Sequence, residues 1–240
     1  MRVSIVVPIL NEVNLVSTCL GYLQSTLADL SRRKIGQWEV VVSDAGSTDG
    51  TVKLINKFMT KENWKFEKSN ISHPSIGKTI KQGIHVATGD YIWILPVDTR
   101  LQIDAFVDLW EIVSHDHADY IAFPKLYAPS TTLLKLYQFL QNTIRLKLLK
   151  HVVWTNGIVL SKRIFESYDV PTVGFMEDVI WSDQLRKKIP LLILTHPIEV
   201  STRRYHPSGI LRQIFVNFIV MLLYRIRLVK PQNLKTIYNR

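Results

Sequence analysis

Acidic and basic residues gathered at the ends of apolar runs are the groups in this chain best placed to do chemistry. Val40 to Thr51 reads VVVSDAGSTDGT, a hydrophobic run closing on an acidic, glycine-containing turn. Val3 to Ile9 stops at Pro8-Ile9-Leu10-Asn11-Glu12, and Tyr91 to Leu95 runs into Pro96-Val97-Asp98. Further on, Gly174-Phe175-Met176-Glu177-Asp178 sets two acids at the start of a helical pattern, and Ser201-Thr202-Arg203-Arg204-Tyr205-His206 gathers cations behind a strand-like segment. An aspartate such as Asp44 can accept from a nucleobase N–H, while Gly46 beside Ser47 lets the backbone come close to a ligand. Pro8 ends a ladder because it lacks an N–H, which frees Asn11 and Glu12 to reach toward a base or ribose. Lys78 can approach a diphosphate as a compact cation, and guanidinium forks at Arg203 and Arg204 match phosphate oxygens. Each group also has a structural reading. Asn11, Asp49 and Asp98 can cap helices, Lys78 can be a solvated helix residue, Glu177 and Asp178 can be ordinary N-terminal helix acids, and His206 can be a surface histidine.

These groups need a scaffold. Val3–Ile9 and Glu39–Ser43 are continuous β-branched runs, the mark of strands covered on both faces. Helical spacing fills Glu12 to Arg33, and helices are expected over Thr51–Thr60, Ser75–Ala87 and Leu101–Ser114, with strands at Tyr91–Leu95 and Tyr120–Phe123. This alternation implies a mostly parallel sheet. The second half is less regular: a basic amphipathic helix over Leu133–Leu149, strands at Trp154–Ser161 and Leu191–Leu194, a helix from Gly174 to Lys187, and a helix from Gly209 to Val229. No linker or repeat divides the chain, so residues 1–240 read as one α/β domain.

The 240 residues are 47% hydrophobic and carry a single cysteine, Cys19. Cys19 falls on the apolar side of the first helix, which points to a core position, a reducing compartment and no internal disulfide. No apolar run reaches the roughly 18 residues of a membrane span. The expectation is a cytoplasmic protein, with peripheral contact at the inner face of the membrane. The formal charge of +10 is uneven, since no acid follows Glu199 and none lies in Leu133–His151. That asymmetry suggests an anionic partner: a membrane surface, a nucleic acid or a phosphate-bearing substrate. His-Glu-x-x-His, Walker and Gly-x-Gly-x-x-Gly motifs are missing, as are Cys pairs, which disfavours zinc hydrolysis, P-loop chemistry and dinucleotide redox. The basic residues form no recognisable nucleic-acid reading module.

Taken together, the Ser43–Gly50 loop, the Pro96-Val97-Asp98 strand end and the Glu177-Asp178 pair resemble the family-2 glycosyltransferases of GT-A fold, of the small single-domain bacterial type. The family sequence Asp-Asp-Gly-Ser-Thr-Asp appears here with Ala45 in place of its second aspartate, and Asp-x-Asp appears as Pro96-Val97-Asp98. The resemblance implies a GT-A Rossmann-like fold with a nucleotide-sugar half (1–100), an acceptor half (101–206) and a basic amphipathic helical tail (207–240). It implies an inverting transfer from a nucleotide-diphospho-sugar to a hydroxyl acceptor, lipid-linked or a polysaccharide precursor, assisted by Mg²⁺ or Mn²⁺. In that scheme Asp44, Gly46, Ser47, Pro8, Asn11, Glu12, Lys78, Arg203 and Arg204 bind the donor. Asp98 holds the metal, with His206 a second ligand, Asp178 is the base, and Glu177 belongs to the acceptor side. The rival readings are a degenerate GT-A nucleotide-binding partner without turnover, suggested by Ala45 and Pro96, and a sugar nucleotidylyltransferase.

Overall fold

Uninterrupted β-branched runs are stable in strands whose two faces are both covered, and that is where these runs lie. The computed structural model describes residues 1–60, 63–69, 75–203, 205, 209–226, 229 and 231–238. β1 (Val3–Ile9) and β2 (Trp38–Asp44) are buried along their whole length and pair in parallel, with Ile9 opposite Asp44. The crossover between them is α1 (Val16–Arg32), which buries Val16, Cys19, Leu20, Leu23 and Leu30. After α2 (Thr51–Ile55), β3 (Trp64–Lys68) adds to β2, and α3 (Ile76–Val86) then leads back to β4 (Tyr91–Ile94), parallel to β1 on its other side. The strand order β3-β2-β1-β4 therefore reverses direction between β1 and β4. In open α/β sheets a ligand crevice forms outside the carboxyl ends of the strands at such a reversal.

The remaining elements widen the sheet and roof that crevice. In chain order they are β5 (Thr99–Leu101), α4 (Ile103–Ser114), β6 (Tyr120–Ala122), β7 (Lys125–Ala128), α5 (Thr132–Leu140), β8 (Val159–Ser161), α6 (Ile164–Ser167), α7 (Glu177–Leu185), β9 (Leu191–Ile193), β10 (Ile198–Ser201), α8 (Ile210–Arg225) and α9 (Pro231–Tyr238). β8 runs antiparallel beside β4 and β6, completing a seven-stranded sheet, while β5, β10 and β7 form a separate three-stranded one. α1 and α4 cover one face of the large sheet, with Phe106 packed against Trp93 and Trp38. α3 and α7 cover the other, through Ile80, Trp181 and Leu185.

The expected α/β architecture, a mostly parallel sheet flanked by helices, is the observed one. Three local readings differ. The helix from Thr51 ends at Ile55 rather than Thr60, with turns continuing beyond it. The 133–149 helix is α-helical only to Leu140 and continues as a π-helical stretch from Gln141 to Leu148. The strand expected over Trp154–Ser161 is a 3₁₀ turn at Trp154–Asn156 followed by β8.

One buried carboxylate ties the N-terminal ends of the parallel strands together. Glu39 on β2 accepts from the Ser4 hydroxyl of β1, from Thr88 N at 2.9 Å and Thr88 Oγ1 at 2.8 Å, and pairs with Lys65 Nζ of β3 at 2.6 Å. Burial alone would raise its pKa, but these hydrogen bonds outweigh it and hold the carboxyl down at about 2. A depressed carboxyl pKa stabilises the fold above its unfolded value and loses that contribution as pH falls through the folded one. Glu39→Gln is therefore expected to lower stability by about 2–3 kcal/mol at pH 7. It should also flatten the loss of stability that the native protein shows between pH 4.5 and 2. Equal acid-unfolding curves for the two proteins would refute this role.

Candidate active site

The parallel register sets the strand ends side by side, so the loops that follow them are built against one another. After β1, Asn11 adopts a left-handed conformation (φ 53°). Its N–H donates to Ser47 Oγ at 2.7 Å, and its side-chain carbonyl accepts from Thr48 N at 2.9 Å. Glu12 N donates to Thr51 Oγ1 at 2.9 Å. Gly46, at φ 97°, occupies backbone space that a side chain would strain. Pro8 lies inside β1 opposite Ser43, on the stretch that pairs with β2 alone.

Asp44 is engaged by its own turn. Its side chain does not reach outward for a base: the residue is fully buried, and its carboxylate accepts from Gly46 N at 3.0 Å, Ser47 N at 2.9 Å and the Ser47 hydroxyl. An aspartate beside a tight turn satisfies that turn's own N–H groups more readily than a distant donor. Glu177 is engaged in the same way. It is 3% exposed, and its two oxygens accept from Gly77 N at 2.7 Å and Gly174 N at 2.9 Å. It thus joins the start of α7 to the start of α3. The junction is tight, because a Cβ on Gly77 would come within 2.0 Å of the Pro171 carbonyl.

A cavity of about 380 Å³ opens at the carboxyl ends of the strands, lined by Asp98, Lys125, Asp178, Trp154 and Glu177 among others. Asp98 follows β4 in a turn closed by Thr99 N to Pro96 O at 3.1 Å, and its carbonyl accepts from Ser201 N at the end of β10. Its Oδ2 lies 3.7 Å from Arg203 Nη2. That guanidinium forks onto Glu12, at 2.7 and 2.6 Å, and the pairing raises the arginine's pKa further. Arg203 thereby spans the β1 loop and the β4 turn, bringing three of the expected site residues together. Asp178, half-buried, accepts from Trp154 N at 3.3 Å and from Val179 N at 2.8 Å, while Met176 just before it is held at φ 56°, an uncommon conformation for a non-glycine residue. Lys78 belongs to α3, whose N-terminus Ser75 caps, and is not in the cavity wall. Arg204 and His206 lie outside the described residues.

A divalent cation can be tested against this donor set. Among the described residues no three His, Cys, Asp or Glu side chains converge, so there is no all-protein cage. Mg²⁺ is commonly held by one or two carboxylates plus substrate phosphates, and Asp98, a residue of the cavity lining, fits that arrangement.

Sequence reasoning missed part of the wall. Lys125 on β7 is 5% exposed, and burial followed by the like charge of Arg145 pushes its ammonium down to about 7. Tyr127, Tyr137 and Tyr205 form an aromatic cluster with ring centroids 5.5–6.0 Å apart, and burial raises the pKa of Tyr127 and Tyr205. The signal for β7 was the alternation Lys125-Leu126-Tyr127-Ala128, in which Lys125 and Tyr127 share a face. A larger hollow of about 570 Å³ lies at the other end of the strands, bounded by Arg2, Gln37 and Asn63, but no acid or histidine among the described residues lines it.

Comparison with known proteins gives a consistent picture. The family model described as "Glycosyl transferase family 2" matches residues 4–166. A poly(ribitol-phosphate) beta-glucosyltransferase of Bacillus spizizenii is 24% identical over 120 residues, which cover 50% of this chain and 18% of that protein. The chain thus spans less than a fifth of that curated relative. Residues 1–349 of S. aureus TarS superpose with a TM-score of 0.66 at 15% identity, over 99% of this chain and 69% of that one. The same fragment in complex with UDP-GlcNAc gives 0.62 at 14% identity, over 99% and 70%. Mannosyl-3-phosphoglycerate synthase from Rubrobacter xylanophilus gives 0.59 at 18% identity, over 96% and 76%. At these identities the solved structures share the fold.

The two neighbouring acids of α7 should separate in a stability assay. Glu177→Ala strands two buried N–H groups and is expected to cost about 2–4 kcal/mol, whereas Asp178→Asn should leave the unfolding midpoint within about 0.5 kcal/mol of wild type. Equal losses, measured by urea denaturation, would overturn this division of labour.

Proposed function

The chain belongs to glycosyl transferase family 2, and from that premise we propose that it moves a glycosyl group from a nucleoside-diphosphate sugar to a hydroxyl acceptor with inversion. The observation that carries this reading is that Asp98 and Asp178, from distant parts of the chain, line one cavity outside the carboxyl ends of the parallel strands. The UDP and UDP-GlcNAc complexes of TarS, a neighbour of the same fold, make uridine diphosphate the first donor nucleotide to test.

In this reading the loops after β1 and β2 form the nucleotide platform. Asp44 and Asn11 shape it from within, so that backbone groups around Gly46 and Ser47 meet the nucleotide. Arg203 stands beside the diphosphate path, held by Glu12. The acceptor hydroxyl attacks the anomeric carbon from the face opposite the diphosphate. The new C–O bond forms as the bond to the diphosphate oxygen breaks, and the acceptor proton passes to Asp178. Asp178 suits that role because its partners are backbone N–H groups, which orient the carboxylate without neutralising it. Asp98 would hold a divalent cation shared with the diphosphate, which when bound would neutralise charge developing on the leaving group. Of the rivals, the partner without turnover is disfavoured by the placement of Asp178 in the cavity wall.

We also propose that this chain works at an anionic membrane surface. α5 with its π-helical continuation leaves Leu136, Phe139, Leu140, Ile144 and Leu148 exposed. α8 leaves Leu211, Phe215, Phe218, Leu222 and Ile226 exposed at helical spacing, Phe215 by 63% and Phe218 by 62%. The two helices touch through Asn217 and Tyr137, 3.2 Å apart. Such contiguous exposed apolar surface is rare on a monomer in water. Lys135, Lys147 and Lys150 accompany it, as expected of helices lying in a lipid interface. Among the described residues no helix is long and apolar enough to cross a membrane.

Titration calorimetry with UDP, GDP, CDP and dTDP tests the donor site. One nucleotide should bind in a Mn²⁺-dependent way and lose at least about tenfold in affinity in Asp98→Ala. Asp178→Asn should keep that affinity while turnover falls by about 10²–10⁴. Binding of none of the four would sink the donor reading. For the surface, the protein should float with phosphatidylglycerol vesicles, and the double variant Phe215→Glu/Phe218→Glu should stay behind. A wild-type protein that ignores such vesicles would refute membrane docking.

A further inference from the structure

The cavity holds a cation that neither the family scheme nor the reaction above employs. Lys125 is 5% exposed, and the charges its ammonium feels are the repulsion of Arg145 and the attraction of Asp178 and Asp98. Its backbone is committed, with Lys125 N donating to Asn142 Oδ1 at 2.9 Å and Asn142 Nδ2 donating to the Lys125 carbonyl at 2.8 Å. These bonds join β7 to the π-helical stretch and fix the direction in which the lysine stem leaves the strand, into the cavity wall. Burying an ammonium is unfavourable, Asp178 and Asp98 offset only part of that cost, and an apolar side chain of the same length would fill the space without it. The placement calls for an explanation outside packing.

A second cation lies on the same wall. Arg145 projects from the π-helical stretch, where its Nε donates to His151 Nδ1 at 3.1 Å and its Nη1 to Gln141 Oε1 at 3.1 Å. His151 is buried, and both desolvation and the neighbouring guanidinium disfavour its protonated form. It therefore receives the hydrogen bond as a neutral imidazole, and Arg145 is oriented by two neutral acceptors with its charge left uncancelled. The π-helical geometry contributes here, since such stretches re-aim side chains and recur at functional sites. Two like charges on one wall, one nearly buried and one fixed by neutral partners, form a site that becomes favourable when an anion enters.

We propose that Lys125 and Arg145 form an anion subsite that takes phosphoryl oxygens inside the cavity beside Asp98 and Asp178. It rests on the transferase reading only for the source of the phosphoryl group, which is either the donor's diphosphate or a phosphate carried by the acceptor. An ammonium suits a single phosphoryl oxygen as a point charge, and a guanidinium adds direction. Enclosed in a cavity, both interact with an anion more strongly than they would at the surface.

The test uses the full chain with inorganic pyrophosphate, glycerol 3-phosphate, UDP and uridine, by calorimetry beside thermal unfolding. The wild type should bind at least one of the first two. Lys125→Met should weaken that binding tenfold or more while its unfolding midpoint stays level or rises, and Arg145→Gln should weaken it as well. Loss of pyrophosphate and UDP affinity with glycerol 3-phosphate unchanged assigns the subsite to the donor, and the reverse pattern assigns it to a phosphorylated acceptor. Affinity that persists in Lys125→Met, or that falls only together with a lowered midpoint, overturns the proposal. So does a wild type that binds neither inorganic pyrophosphate nor glycerol 3-phosphate. Lys125-dependent binding of these anions by a protein that ignores every nucleotide would leave the subsite standing and remove the donor reading instead.

Discussion

The parallel register of β1 with β2 on one side and β4 on the other is the constraint on which the site depends. Val6 opposite Ile94 and Ile9 opposite Asp44 bring three carboxyl ends to one edge. A slip of one residue would turn every side chain of a strand to the opposite face, and both faces of β1 are packed under helices. The loops that carry Asn11, Ser47 and Asp98 therefore begin from points that the hydrophobic core has already set. Arg203 then crosses from Glu12 to Asp98, so that a residue far along the chain closes what the strand ends begin.

Within that frame the acids divide by the donors around them. Asp44 and Glu177 sit among backbone N–H groups that would otherwise be buried and unpaired, and each is consumed in satisfying them. Asp98 and Asp178 line the cavity as Glu177 does, but neither is tied by two backbone N–H groups of separate loops as Glu177 is. In composition and spacing the four look alike. Their difference arises from which neighbouring loops had N–H groups to satisfy, because an unmade hydrogen bond in the interior costs more than one offered to solvent. Ala45, which stands where the family sequence carries a second aspartate, is 4% exposed and lies in the same enclosed turn.

The second half of the chain shows the opposite economy. Its helices leave leucine and phenylalanine exposed and its strand β7 brings Lys125 into the interior, an inversion of the usual partition between core and surface. Each departure has a counterpart in the proposed setting: a lipid interface for the apolar faces of α5 and α8, and an anion for Lys125 and Arg145. Local rules are most often broken where function requires it.

Much of this was legible in the residues themselves. The β-branched runs, the break at Pro96, and the helical stripe of Val16, Cys19, Leu20 and Leu23 determined the parallel α/β core, because burial on both faces leaves a continuous apolar signature. The edge strand β3 was not read from the sequence, because its residues are only partly buried and leave no continuous apolar run. The candidate acids could be located, since a strand end is visible as the place where an apolar run meets polar residues. Their roles could not be read, because a carboxylate's task is set by what surrounds it. Only the tertiary structure decided that Asp44 and Glu177 face inward to their own loops, that Arg203 joins Glu12 to Asp98, and that Lys125 enters the cavity beside Asp178. Those relations depend on segments up to 191 residues apart, and distances of that kind are created by packing, which no local pattern encodes.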